Sequence, residues 1–189
     1  MLALCWGGIA LQRAESGCED GIESVMPNVA FAPDGESGSS GPSRHFKNES
    51  HQMKRFVNQH LKSLERIETH EIGLLQNAPR VRAATGLELR QFCVVVENTA
   101  LKHALKQHGN ASQEARRGQA AITEDDFCLI PEIIQDGSPS KGDGSKRGVS
   151  TVLFIKLING IEYTVVADVR PNIRQLAFKT MMKRRQKSA

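Results

Sequence analysis

Two histidines, His103 and His108, lie five residues apart, and a β-hairpin farther along ends in Arg170, followed by Lys179, Thr180 and the basic run Lys183, Arg184, Arg185. An imidazole titrates near neutrality, with an ordinary pKa of about 6.5, so it can both take and return a proton. A guanidinium presents planar donors that match phosphate oxygens two at a time. Such an inventory suits phosphodiester cleavage without a metal ion. A base takes the proton of an attacking ribose 2′-oxygen, an acid protonates the leaving oxygen, and a cation offsets charge on the phosphorane. Each proton-transfer role is worth about 10²–10⁴-fold in rate, so a few well-placed groups suffice. No GxxxxGK, GxGxxG, HExxH or GxSxG motif is present, which argues against nucleotide hydrolysis, dinucleotide redox chemistry, zinc proteolysis and serine hydrolysis. No metal and no cofactor is expected.

These residues need elements to position them. Leu101, Ala104, Leu105 and His108 recur at i, i+3, i+4 and i+7, so Glu97–His108 is expected to be a helix with His108 leaning inward at its C-terminus, and Gly109 to close it in the left-handed conformation. His103 lies about 140° around that helix from His108, so periodicity favours His108 as the catalytic one. A capping or structural role for His108 is the competing reading. Glu114, on a short helix capped by Asn110 and ended by Gly118, could orient or counter a histidine, or be a solvated helix-face residue. Thr123 and Asp126 form a Thr-x-x-Asp start signal for a third short helix that Pro131 interrupts or restarts.

The strongest local signal is Asn159-Gly160 between Thr151–Ile158 and Ile161–Val169, a two-residue turn that joins two β-rich runs into a hairpin. Alternation over Leu176–Met182 predicts a third strand, with Thr180 sharing a face with Phe178 and Met182 and Lys179 facing the other way. Phe92–Val96 reads either as a short buried strand or as the lead into the helix. Asp136–Gly148, rich in Gly, Ser, Pro and Lys, is expected to be an exposed, mobile loop. Earlier, Met53, Phe56, Val57, Leu61, Leu64 and Ile67 define an amphipathic helix ending near His70, which either docks on the C-terminal part or belongs to a longer helical region.

The chain has 189 residues, enough for one domain with appendages, and carries 25 Lys and Arg against 21 Asp and Glu. Its cations concentrate between Lys141 and Lys187. Such a field steers polyanions, so nucleic acid is the favoured partner, with Lys179, Lys183, Arg184 and Arg185 as phosphate contacts; a solvated tail is the alternative. Cys5, Cys18, Cys93 and Cys128 show no CxxC or Cys/His cluster, and Cys93 and Cys128 are expected in the core. Leu2–Leu11 is apolar, but it lacks a cationic flank and a cleavage site and is too short to span a bilayer. A cytoplasmic chain, or one carried within a larger particle, is therefore expected, with no membrane contact.

In their order and spacing, Thr99-Ala-Leu-Lys-His103-Ala-Leu-Lys-Gln-His108-Gly109, Gly118-Gln119, Ile122-Thr-Glu-Asp-Asp126, Ile130-Pro-Glu-Ile-Ile134, Asp168-Val-Arg170 and Leu176-Ala-Phe-Lys-Thr180-Met resemble the phage-associated branch of the barnase–EndoU–colicin E5/D–RelE-like (BECR fold) nucleases. The resemblance covers about residues 83–185. It implies an α+β fold, with short N-terminal helices on an antiparallel sheet of about four strands, the fourth drawn from Phe92–Val96 or Ala84–Leu89. It also implies a metal-independent RNase or toxin activity, with His103, His108, Arg170 and Thr180 forming the active cleft. The corresponding organisation is a mostly disordered, low-complexity segment over 1–47, an amphipathic helix and linker over 48–80, the nuclease-like domain over 83–185 and a tail over 186–189. RNA is the implied substrate, and a larger phage structural protein, so a place in the virion, or an immunity protein, are implied partners. A non-catalytic module that binds nucleic acid or a virion protein is the alternative function.

Overall fold

The computed structural model describes residues 44–62, 66–143 and 148–186. The chain order is α1 (Arg44–His60), β1 (Thr69–Leu74), α2 (Ala78–Thr85), β2 (Cys93–Glu97), α3 (Asn98–His108), α4 (Ala111–Arg116), a 3₁₀ helix (Glu124–Leu129), α5 (Ile130–Asp136), β3 (Ser138–Lys141), β4 (Thr151–Ile158), β5 (Ile161–Arg170), a 3₁₀ turn (Pro171–Ile173) and β6 (Gln175–Arg185). The class is α+β, as expected, but the sheet has six strands in the order β1-β2-β6-β5-β4-β3. It is also mixed: β2 and β6 run parallel, and every other pair is antiparallel.

The hairpin forms as its turn chemistry dictates, with Asn159 and Gly160 both at positive φ, 50° and 75°. Along β5, buried Tyr163, Val165, Ala167 and Val169 alternate with half-buried Glu162, Thr164, Val166, Asp168 and Arg170, so one face meets the helices and the other does not. On the helical side, Met53 and Val57 of α1, Leu101 and Ala104 of α3, Phe127, and Ile130, Ile133 and Ile134 of α5 join Val94, Phe154, Val165, Leu176, Phe178 and Met181 in one core. Phe127 meets Phe178 edge-on, with ring centroids 6.2 Å apart. A buried polar clasp ties β1 to the end of α5: Asn77 donates to the carbonyls of Ile134 and Gln135 at 2.8 and 2.7 Å, and Gln135 donates to that of Leu74 at 3.1 Å.

Several expectations are corrected. The amphipathic helix stops at His60, and His70 belongs to β1, an edge strand whose bulge around Ile72 and Gly73, at φ 126°, hides its alternation. Leu64 lies outside the described residues, and Ile67 is exposed rather than on the buried face. Part of the expected loop 136–148 is strand β3, which carries Pro139 and pairs only with β4, the edge position where a residue without an N–H is tolerated. Cys93–Glu97 supplies a strand, whereas Ala84 and Thr85 end a helix that Pro79 opens. Gly109 has φ −87°, not a left-handed value; glycine fits there because a Cβ would lie 2.5 Å from the carbonyl oxygen of Leu105. Cys93 and Cys128 are half-buried free thiols, and burial pushes both up in pKa. The segment expected to be disordered, over 1–47, and the apolar stretch Leu2–Leu11 lie outside the described residues, apart from the start of α1.

Candidate nucleic-acid-cleaving site

β6 forms the floor of the candidate site, and a bulge decides what it displays. Val166 pairs with Thr180 but Ala167 pairs with Phe178, so Lys179 is an extra residue. The bulge turns Phe178 to the core and leaves Thr180 and Met182 on the outer face, correcting the expectation that all three share one side. Lys179 reaches Asp168 on that same outer face, Nζ to Oδ1 at 2.9 Å, so Lys179 and Thr180 do not point apart.

Arg170, the last residue of β5, spans β6 to reach the end of β2, with Nη1 2.6 Å from Glu97 Oε1. The Arg170–Glu97 and Lys179–Asp168 pairs lie above Ala177 and Val95, which are buried although they face away from the helices. Half-exposed pairs of this kind contribute at most about 1 kcal/mol of stability. Their importance lies in charge: each cation already has a carboxylate, so a phosphate must compete for it. Beside them, the buried Oγ1 of Thr180 has no hydrogen-bond partner among the described residues.

A second group forms where α3 ends. Asn110 caps α4 by accepting from the backbone N–H of Gln113 at 3.1 Å, and this turn aims Glu114 back at α3. Glu114 is 0 % exposed. Its Oε2 accepts from His108 Nδ1 at 3.2 Å and its Oε1 from Arg117 Nη1 at 2.6 Å. Because a carboxylate only accepts, Nδ1 is the donor in this bond, and Nε2 is the ring nitrogen left outside it. The His108 side chain keeps 16 % of its surface exposed. His103 is exposed on α3 and takes no part in this group.

The phosphate contacts expected of the basic run divide. Lys183 is 13 % exposed and is held by Asp126 at 2.6 Å on the helical side of the sheet. Asp126 also accepts from the Tyr163 hydroxyl at 3.0 Å and from the Thr123 N–H and Oγ1 at 2.6 and 2.9 Å, completing the expected capping box on a 3₁₀ helix. Burial would raise the Asp126 carboxyl, but the Lys183 ammonium and the Thr123 donors outweigh it and hold it below its usual value. Burial and the same hydrogen bond push Tyr163 up to about 12. Lys183 is thus committed inside the fold. Arg184 pairs with Glu162 at 2.8 Å, and Arg185 is exposed without an ion pair among the described residues.

The structure therefore gathers Arg170, Lys179 and Thr180 on one face with Glu97 and Asp168, and it sets His108 with Glu114 and Arg117 where α3 ends. No direct bond joins His108 to Arg170 or Thr180. Four residues separate Arg170 from Val166, the partner of Thr180, which is about 13 Å along a strand. The segment after α4 ties the end of α3 to β6: Ile122 N–H donates to the His108 carbonyl at 2.9 Å, Ala120 N–H to that of Lys183 at 2.8 Å and Gln119 N–H to that of Glu114 at 2.9 Å. Sequence reasoning missed Glu97 and Asp168. Only Asp168 left a signal, since it lies two residues before Arg170 and so shares its strand face.

Among the described residues no helix is long and apolar enough to cross a membrane, and no cluster of His, Cys, Asp and Glu could hold a metal ion. Comparison with curated proteins and with solved structures gives no match. The family model described as phage-Barnase-EndoU-ColicinE5/D-RelE like nuclease3 matches residues 75–189, which take in α2 to β6 and both groups of site residues. With that match covering more than half of the sequence, the chain belongs to the phage-Barnase-EndoU-ColicinE5/D-RelE like nuclease3 family.

Proposed function

We propose that this chain is an endoribonuclease that cleaves RNA by general acid–base catalysis without a metal ion. The observation that carries the reading is His108 held through Nδ1 by the fully buried Glu114. A histidine oriented by a carboxylate keeps one tautomer and one ring position, and Nε2 is then the atom that moves the proton. Thr180 and Lys179 hold the phosphate: the hydroxyl donates to it, and the ammonium exchanges Asp168 for it. Arg170 takes a position farther along the bound strand, again by exchange with Glu97. His103 stays outside this arrangement, and Arg185 adds steering.

RNA incubated with the protein in EDTA is expected to be cut, and His108→Ala to lower the rate by about 10²–10⁴-fold while binding persists. His103→Ala is expected to lose far less. Intact RNA across pH 5 to 9 on several substrates would overturn the reading. The second reading, a non-catalytic module that binds nucleic acid or a virion protein, is favoured by one observation: no direct bond joins His108 to Thr180. It predicts salt-dependent binding with no cleavage.

A further inference from the structure

Proton transfer leaves one feature of the outer face unused. A cleft of about 270 Å³ opens over the C-terminal half of β6, lined by Gln119, Leu153, Ile155, Thr164, Met182 and the Arg184–Glu162 pair, among others. Its floor follows from register: Ile155 pairs with Thr164 and Thr164 with Met182, so the three side chains form one cross-strand row. The next row is Leu153, Val166 and Thr180, about 7 Å along the strands.

Gln119 stands at the edge of this floor because the backbone of Ala120 bridges to Lys183. Its Nε2 donates to Met182 Sδ at 3.6 Å, a weak acceptor, and its buried Oε1 has no partner among the described residues. A buried acceptor without a donor is costly and calls for one. The complement is a flat group with apolar faces and an N–H edge, one step from a phosphate held at Thr180.

We infer that the Gln119 cleft is a nucleobase subsite, selecting a base with an exocyclic amino group and adenine above all. To meet the base the Gln119 amide leaves Met182 and turns into the cleft, so that Oε1 accepts from the adenine N6 amino group and Nε2 donates to N7, the two-bond pairing that a glutamine amide makes with adenine. Ile155, Thr164 and Met182 carry the face of the ring. The inference rests on the nuclease reading for the phosphate at Thr180, yet base selection can be measured without cleavage.

The test is equilibrium binding, at one fixed salt concentration, of short 2′-O-methyl oligonucleotides that cannot be cut by 2′-oxygen attack: adenine, uracil, and purine lacking the 6-amino group. The native chain is expected to bind the adenine probe at least about fivefold more tightly than either other probe, a factor in the range of one good two-bond pairing. Gln119→Leu, checked for an unchanged melting temperature, is expected to bind all three alike. Equal binding by the native chain, or selectivity that survives Gln119→Leu, overturns the inference; should that variant not fold, the native comparison of adenine with purine decides alone. Selectivity without any cleavage of ordinary RNA would sink the nuclease reading and leave the subsite standing, and cleavage without selectivity would do the reverse.

Discussion

Thr180 separates what a residue does for the fold from what it does for a ligand. A buried hydroxyl without a partner costs about 1–3 kcal/mol, so replacing it with a methyl group of similar shape should not weaken the protein. Thr180→Val is expected to hold or raise the unfolding free energy read from urea titration, by up to about 1 kcal/mol, while lowering RNA cleavage at least tenfold. If cleavage stays at the native rate, the phosphate contact assigned to Thr180 is wrong. Glu114 is the opposite case: a fully buried carboxylate stripped of its partners is left with an uncompensated charge, so the fold depends on it along with the chemistry proposed for His108.

At the scale of elements, legibility followed local pattern. The hairpin, β6 and α3 were readable because Asn159-Gly160, period-two alternation and 3.6-residue spacing each act within a few residues. β1 and β3 were not, since edge strands need satisfy only one neighbour and carry Gly73 and Pro139 where alternation would otherwise show. The bulge at Lys179 hides in a run that alternates well, and pairs such as Arg170 with Glu97, 73 residues apart, exist only after folding. The junction of α1 and β1 carries a pH dependence. His70 stacks on Phe56 at 5.2 Å, with His60 on the same ring at 5.0 Å, and burial lowers the His70 pKa below its ordinary 6.5. The folded state therefore binds its proton less readily than the unfolded chain, so the stabilisation is complete above 6.5 and is lost as pH falls from there through the lowered value. Urea midpoints should drop between pH 7.5 and 5, and the drop should shrink in His70→Phe; an unchanged slope in that variant would show that His70 is not the group responsible.

For the whole molecule, the family match and the folded unit do not share a boundary. The match begins at residue 75, yet β1 pairs with β2, and Met53, Phe56 and Val57 of α1 lie in the same core as the sheet. A chain starting at residue 75 exposes the edge of β2 and the apolar surface that α1 covers. Such a fragment is expected to bind a hydrophobic dye and to lack the cooperative thermal transition expected of residues 44–189. A sharp transition at the same temperature would make α1 and β1 dispensable.

The place of β6 in the sheet also sets an order in time. It is the last of the described strands in chain order, yet it lies between β2 and β5 and holds the two halves of the sheet together. It also carries Lys179 and Thr180. On a ribosome, the histidine and both carboxylate partners of the cations emerge first, and the surface that would receive a phosphate is assembled only when residues 175–185 follow. A growing chain that has not yet released residues 175–185 therefore lacks the surface proposed to receive the phosphate.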